Sequence, residues 1–221
     1  MHQAISRDNR RMVDAFVLLL IAYLLGSFSG GLLLGKLRGV DIRTIGSGNA
    51  GGTNALRTQG VKFALGTVLV DVGKGALATW LAWRFLPAEL HPAWLYACVL
   101  AAAAGHVWPV FHGFRGGKGA ATLVGGLAIV WPQTLLPALA VWLLSMMWGG
   151  YVGLSTVLAG VSLVLVALVS GADGLRLGFA AVIALFLIFT HRANLARLRA
   201  GTEPRSERAR VLGRLFSRKS T

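Results

Sequence analysis

Charged residues are scarce in this chain of 221 residues, and acidic residues are the scarcest of them. Only 14% of the residues are charged, and 8 acidic residues stand against 22 lysines and arginines. An average soluble domain has about 25% charged residues, whereas the mean hydropathy of this chain is +0.66. The composition therefore excludes an ordinary soluble domain and indicates a basic membrane protein.

Residues that cross-link a chain or bind a metal are also few. Cys98 is the only cysteine, so an internal disulfide is impossible, and its apolar surroundings are typical of a small core residue. The five histidines lack nearby carboxylates or thiolates at ligand spacing. We therefore expect neither a metal ion nor a cofactor.

A series of apolar segments with short connections predicts an all-α polytopic membrane protein with about seven transmembrane helices, some of them short. The first segment is too long for a signal peptide and lacks a clear cleavage site, so we expect an uncleaved helix. Pro132 and Pro137 favour two short helices over one long span, because proline removes a helix hydrogen bond. The predicted spans are residues 13–34, 64–85, 92–110, 121–131, 134–148, 152–170 and 175–190. The predicted divisions are an N-terminal arm 1–12, a membrane domain 13–203 and a basic cytoplasmic tail 204–221.

The net charge of +14 is concentrated in residues 36–62, 111–119 and 191–221. Short basic loops stay on the cytoplasmic side of a membrane, so all three basic segments, including the C-terminus, should face the cytoplasm. An odd number of helices then places the N-terminus outside. Attraction to anionic membrane lipids explains the positive charge better than binding to nucleic acid does. For the tail, a short basic helix on the membrane surface and a solvated tail both remain open.

The first glycine-rich segment, residues 45–58, fits the pattern G-x-G-x-x-G. A dinucleotide site needs a preceding strand, but an apolar helix and a basic loop precede this segment. Glycines still let backbone N–H groups approach a phosphate closely, and Arg57 adds a cation. A flexible glycine loop is the alternative. The candidate donors and acceptors are Ser47, Asn49, Thr53 and Asn54.

The second segment, residues 105–123, contains Arg115-Gly-Gly-Lys-Gly119. It is not a Walker motif, because Gly119 stands where Ser or Thr is needed. A glycine turn before a helix nevertheless forms an anion site, to which Lys118 adds a full charge. The glycines clustered around this lysine favour phosphate binding over a loop that only sets topology. They are Gly116, Gly117 and Gly119.

A third cluster follows the last span, where His191 and Asn194 share one helix face at i, i+3 spacing. An interfacial histidine is usually structural, but its titration range makes it a candidate base near neutral pH. Asp71 and Lys74 lie inside a span with the same spacing. Because charges inside a membrane should pair, we expect a buried ion pair that is either structural or supports the loop sites.

Three segments, GSGNAGGTNALR, GHVWPVFHGFRGGKGAAT and HRANLARLRAGTE, together resemble the signature segments of the bacterial membrane glycerol-3-phosphate acyltransferases that use acyl phosphate, the PlsY family. The resemblance covers nearly the whole chain except its two ends. It implies a seven-helix bundle in the bacterial inner membrane, with its active site at the cytoplasmic face. The implied reaction joins acyl phosphate and sn-glycerol 3-phosphate into lysophosphatidate and phosphate, without metal or coenzyme A. The alternative function is an organophosphate transporter, although such proteins often show repeated halves.

With this resemblance, we expect the site to be divided among residues with three roles. Catalytic roles are expected for Ser47, Lys118, His191 and Asn194. Substrate binding is expected for Asn49, Thr53, Asn54, Arg57, His106, Arg115, Gly116, Gly117 and Gly119. Structural support is expected from Asp71, Lys74 and Glu203. The base stays open between His191 and a phosphoryl oxygen of the donor. A covalent route through Ser47 is less favoured, because no adjacent His–acid relay is visible.

The charge distribution predicts that the two ends of the chain lie on opposite sides of the membrane, since an odd number of helices separates them. Reporter domains fused before Met12 and after Thr221 should give external and cytoplasmic signals, respectively. A fusion within the basic segment 111–119 serves as an internal cytoplasmic reference. Both ends on the same side would contradict the seven-helix count.

Overall fold

A computed structural model describes the backbone of residues 2–217 and the side chains of residues 9–215. Within this part of the chain every regular element is helical, which confirms the all-α fold class. The α-helices are α1 His2–Gly26, α2 Gly30–Leu37, α3 Gly52–Gln59, α4 Val61–Phe85, α5 Ala93–Val107, α6 Ala120–Val130, α7 Leu135–Gly149, α8 Val152–Val169, α9 Gly174–Thr190, α10 Arg192–Arg199 and α11 Val211–Ser217.

The chain forms two compact units, residues 1–132 and 133–221, here called the N-terminal and C-terminal units. In the N-terminal unit, small residues of α1, α4 and α5 share a core that includes Ala22, Ala78 and Ala102. Helices α4 and α6 pack so closely that a Cβ at Gly75 would overlap the Thr122 carbonyl. Small residues bring helix backbones together where apolar burial gives no advantage over lipid.

The first predicted span, residues 13–34, is wrong as a single helix. Helix α1 ends at Gly26, α2 begins at Gly30, and the two axes differ by 46°. Charged side chains from α4 bind the backbone exposed at this break. Lys74 Nζ donates to the carbonyl of Phe28 (3.0 Å), and the N–H of Gly30 donates to Asp71 Oδ1 (3.0 Å). The break is thus compensated by partners distant in sequence, which helical periodicity does not reveal.

The predicted interruption near Pro132 is confirmed, because α6 ends at Val130 and α7 begins at Leu135. Among the described residues, two helices are long and apolar enough to cross a membrane by length and composition, Ala93–His112 and Val152–Val169. The number rises to four if each of two bent helix pairs counts as one span. Seven spans therefore stay a prediction, as does the single membrane domain 13–203.

In the C-terminal unit, α8 contacts both α7 and α9, and α10 follows α9 after a bend of 59°. The tail contains a short helix, α11, which packs against α7, and the position of this helix on a membrane surface stays a prediction. Arg205 Nε donates to the Gly149 carbonyl (2.9 Å), and the N–H of Ser206 donates to that of Gly150 (2.8 Å). Helix α1 extends through the predicted arm. The side chains of residues 1–8 and the tail residues 218–221 lie outside the described part.

Candidate functional site

The first glycine-rich segment is folded around the side chain of Asn54, which is only 1% exposed. Its Nδ2 donates to the carbonyls of Ile42 (2.8 Å) and Ile45 (3.1 Å), and its Oδ1 accepts from the N–H of Ser47 (2.8 Å). A Cβ at Gly46, where φ is +61°, would overlap this Oδ1. The amide of Asn54 therefore shapes the loop, and substrate binding by Asn54 stays a prediction.

The other predicted residues of this segment remain available at or near the surface. Ser47 and Arg57 are exposed, and Asn49 and Thr53 are half-buried. Helix α3 carries Thr53 and Arg57 one turn apart, so the two side chains share one face. The segment thus combines a hydroxyl, an amide and a guanidinium beside a glycine turn.

The second glycine-rich segment runs along the end of α5. The N–H of Gly117 donates to the carbonyl of His106 (3.0 Å), and that of Gly116 donates to Val107 (3.1 Å). Gly119, with φ of +85°, ends the turn, and α6 begins at the next residue. Lys118 is half-buried immediately before this helix start. A cation beside the first N–H groups of a helix is an arrangement suited to a phosphate.

Arg43 joins the loop before the first segment to the second segment, a role that the sequence reasoning missed. Its Nη1 donates to the carbonyls of His112 and Arg115, both at 3.0 Å. Its Nε and Nη2 bind the carboxylate of Asp41, with an Nη2–Oδ2 distance of 2.7 Å. These hydrogen bonds lower the pKa of Asp41, while burial opposes the shift. The sequence feature that could have pointed to Arg43 is Asp41, because it is the single acidic residue among the cations of residues 36–62. Arg115 itself is exposed and contributes its carbonyl to this contact.

Asp71 and Lys74 form the ion pair that their spacing predicts, with Lys74 Nζ 2.9 Å from Asp71 Oδ1. His106, predicted to bind substrate, lies in the same buried cluster. Its Nδ1 is 2.7 Å from Lys74 Nζ and 3.3 Å from Asp71 Oδ1. None of the three side chains is more than 6% exposed. Nδ1 of His106 is thus occupied inside the protein, while the opposite edge of the ring faces Gly117.

In the third segment, His191 is 5% exposed, and its Nδ1 lies 2.9 Å from the Leu187 carbonyl. A carbonyl can only accept, so Nδ1 carries the proton and Nε2 is the acceptor of the neutral ring. Asn194 Nδ2 donates to Glu203 Oε1 (2.6 Å), and Arg197 Nε donates to Oε2 (2.8 Å). Glu203 thereby orients the amide of Asn194, and its supporting role stays a prediction.

Within the N-terminal unit, Arg43 links the loop that precedes the first glycine-rich segment to the second segment, and His106 joins the Asp71–Lys74 pair. Within the C-terminal unit, it joins Asn194 to Glu203 and places His191 one helical turn before Asn194. In the part of the chain that is described, no group of three His, Cys, Asp or Glu side chains is arranged to hold a metal ion.

Comparison with known proteins places these features in one family. A family model described as glycerol-3-phosphate acyltransferase matches residues 16–201. The glycerol-3-phosphate acyltransferase of Geotalea daltonii is 41% identical over 192 residues, which are 87% of this chain and 97% of the relative. That of Aquifex aeolicus is 38% identical over 194 residues, covering 87% of this chain and 100% of the relative.

Two solved structures also resemble this chain along most of its length. Both are crystal structures of PlsY, an integral membrane glycerol 3-phosphate acyltransferase. Its glycerol 3-phosphate form has a TM-score of 0.82 and 38% identity, covering 90% of this chain and 98% of that one. Its lysophosphatidic acid form has a TM-score of 0.80 and 38% identity, covering 91% and 98%.

The contacts of Arg43 predict that Arg43→Lys loosens the second segment, because an ammonium cannot hold Asp41 and two carbonyls with the fixed fork of a guanidinium. Loss of charged hydrogen bonds of about 1.5–3 kcal/mol should speed amide hydrogen exchange at Gly116 and Gly117. It should also lower Tm by several degrees. Arg199→Lys, at an exposed position of α10, is the matched control. Unchanged exchange in the Arg43 variant would show that the contact does not hold this segment.

Proposed function

Because the chain belongs to the glycerol-3-phosphate acyltransferase family, we propose that it transfers an acyl group from acyl phosphate to the 1-hydroxyl of sn-glycerol 3-phosphate. The products are lysophosphatidate and inorganic phosphate. The observation that carries the proposal is the family match over residues 16–201, which includes both glycine-rich segments and His191. We place the protein in the bacterial inner membrane, with its C-terminus in the cytoplasm.

Two phosphorylated reactants require cations and N–H donors, and the chain supplies both. Lys118 precedes the start of α6, while Arg57 and Arg115 are exposed on the first and second segments. Charged hydrogen bonds to phosphate are about twice as strong as neutral ones. Acyl phosphate is a mixed anhydride whose leaving group is already a stable anion. The proposed donor therefore needs neither coenzyme A nor a metal to activate it.

In the proposed step, the 1-hydroxyl oxygen forms a bond to the acyl carbonyl carbon, and the bond between that carbon and the phosphate oxygen breaks. The bonding electrons leave with the phosphate, and a nonbridging phosphoryl oxygen takes the hydroxyl proton. Lys118 stabilises the departing phosphate. His191 orients the nucleophile by accepting a hydrogen bond from the hydroxyl at Nε2, because the Leu187 carbonyl occupies its Nδ1. Much of the rate then comes from the positioning of the two bound reactants.

The proposal is tested with purified full-length protein in lipid vesicles, labelled glycerol 3-phosphate, and either palmitoyl phosphate or palmitoyl-coenzyme A. We expect equimolar lysophosphatidate and phosphate from palmitoyl phosphate. If product formed only with palmitoyl-coenzyme A, acyl phosphate would be refuted as the donor. Uptake of label into the vesicles without any acylated product would indicate a transporter instead.

Lys118→Ala should lower kcat/KM by about 10²-fold, with a higher KM for at least one phosphorylated substrate. The reason is the loss of a charged donor next to the departing phosphate. Steady-state kinetics with each substrate varied in turn measures the effect. Lys62→Ala is the control, since Lys62 is an exposed cation at the start of α4. Wild-type kinetics for Lys118→Ala would mean that this loop serves topology alone.

His191→Ala should lower kcat by about 10²-fold through lost orientation, while His191→Gln keeps an acceptor and most of the rate. The acidic limb of the pH–rate profile should persist in His191→Gln, because the donor phosphate takes the proton. If His191 were the base, that variant would instead give a flat profile across pH about 5.5–8.5 and lose the acidic limb of the wild type.

A further inference from the structure

The ammonium group of Lys74 is surrounded by three acceptors from three parts of the chain. They are the Phe28 carbonyl (3.0 Å), Asp71 Oδ1 (2.9 Å) and His106 Nδ1 (2.7 Å). An ammonium has three protons and cannot accept, so each proton is directed at one of these atoms. The short contact to His106 is attractive only if Nδ1 carries no proton. The neutral imidazole therefore has its proton on Nε2.

The opposite edge of the same ring lies against the glycine turn. A Cβ at Gly117 would overlap Nε2 of His106 and come within 3.0 Å of Cε1 and Cδ2. The backbone of His106 also holds the turn, because its carbonyl accepts from the N–H of Gly117 (3.0 Å). The imidazole edge thus occupies the space that a side chain at position 117 would need.

We propose that His106 is a positioning residue for phosphate binding by the 116–119 turn. Asp71 and Lys74 hold the ring of His106 at Nδ1, and the opposite edge of the ring, at Nε2, holds Gly117 in place. The position of Gly117 in turn sets the direction of Lys118 and of the first N–H groups of α6. The ring acts through the turn, which differs from the direct substrate contact expected from the sequence.

A buried ion pair is costly, and its replacement by apolar residues is often neutral or stabilising. Asp71 and Lys74 bind the backbone at the break after α1, but that function does not require the contact of Lys74 with His106. This contact places His106, and placement matters because a misplacement of about 1 Å in a binding group costs about 10²-fold in rate. The inference rests on the proposed function only in assuming that the turn binds phosphate.

The test is a double-mutant cycle with Gly117→Ala and His106→Asn in the full-length enzyme. The Asn oxygen of His106→Asn replaces Nδ1 as acceptor for Lys74, while the ring edge under Gly117 is removed. The methyl group of Gly117→Ala then has space in the double variant. Gly73→Ala is the control, since a Cβ at Gly73 in the same helix as Lys74 meets nothing within 4 Å. The readouts are kcat, both KM values, Tm, and the Kd of inorganic phosphate by calorimetry.

We expect Gly117→Ala to lower kcat/KM about 10²-fold, mainly through a higher KM, and to weaken phosphate binding. The double variant should regain at least tenfold over Gly117→Ala in both measures, and Gly73→Ala should match the wild type. A merely structural contact would lower Tm and kcat with both KM values unchanged, which would overturn the proposal. Equality of the double variant with the product of the two single effects would overturn it too.

Two outcomes separate this inference from the proposed function. If the wild type binds phosphate but does not use acyl phosphate, the proposed reaction is refuted. The Kd values of inorganic phosphate for the two single variants and the double variant then still test the role of His106. An active wild type without coupling between positions 106 and 117 would refute the inference alone. If Gly117→Ala does not fold, recovery of folded, phosphate-binding protein in the double variant would support the contact. Failure of that recovery would contradict it.

Discussion

The ammonium group of Lys74 connects three elements of the N-terminal unit that meet in the tertiary structure. It binds the carbonyl of Phe28 at the break after α1, the carboxylate of Asp71 one turn away on α4, and the imidazole of His106 at the end of α5. Removal of any one partner would leave a buried polar group without compensation, at a cost of about 1–3 kcal/mol or more. The helix break and the second glycine-rich segment therefore depend on the same buried charge.

Glycine has two different functions in this fold, and both follow from the absence of a side chain. In the helices, Gly75 lets α4 approach the backbone of α6 at Thr122, where a Cβ would overlap a carbonyl. In the loops, Gly117 makes space for the ring of His106, and Gly46 makes space for the amide of Asn54. The first function provides packing where lipid competes equally for apolar surface. The second lets buried polar side chains come close enough to fix the loop backbone.

In the C-terminal unit, buried polar groups orient the side chains that are expected to meet the substrate. Glu203 is 5% exposed and binds both Asn194 and Arg197, so its carboxylate fixes the orientation of the amide. The Leu187 carbonyl fixes the tautomer of His191 in a similar way. Supporting hydrogen bonds of this kind decide which atom of a side chain is presented to a ligand. The proposed roles of His191 and Asn194 depend on these contacts as much as on the residues themselves.

Composition, local geometry and contiguous motifs were enough to predict the all-α membrane class, the interruption near Pro132, the Asp71–Lys74 pair and the family. The sequence did not separate Asn54 from the more exposed Ser47 and Arg57, since all three lie in one polar segment. It also missed Arg43 and the break after α1. The contacts of Arg43 and of the break depend on the tertiary structure, because their partners lie 41 to 72 residues away along the chain. The partners of Asn54 lie only 7 to 12 residues away, but the fold of the loop decides that this amide and not its polar neighbours is buried. Periodicity reports which face of a helix is apolar, whereas only the folded chain brings a distant carbonyl or carboxylate within hydrogen-bonding distance.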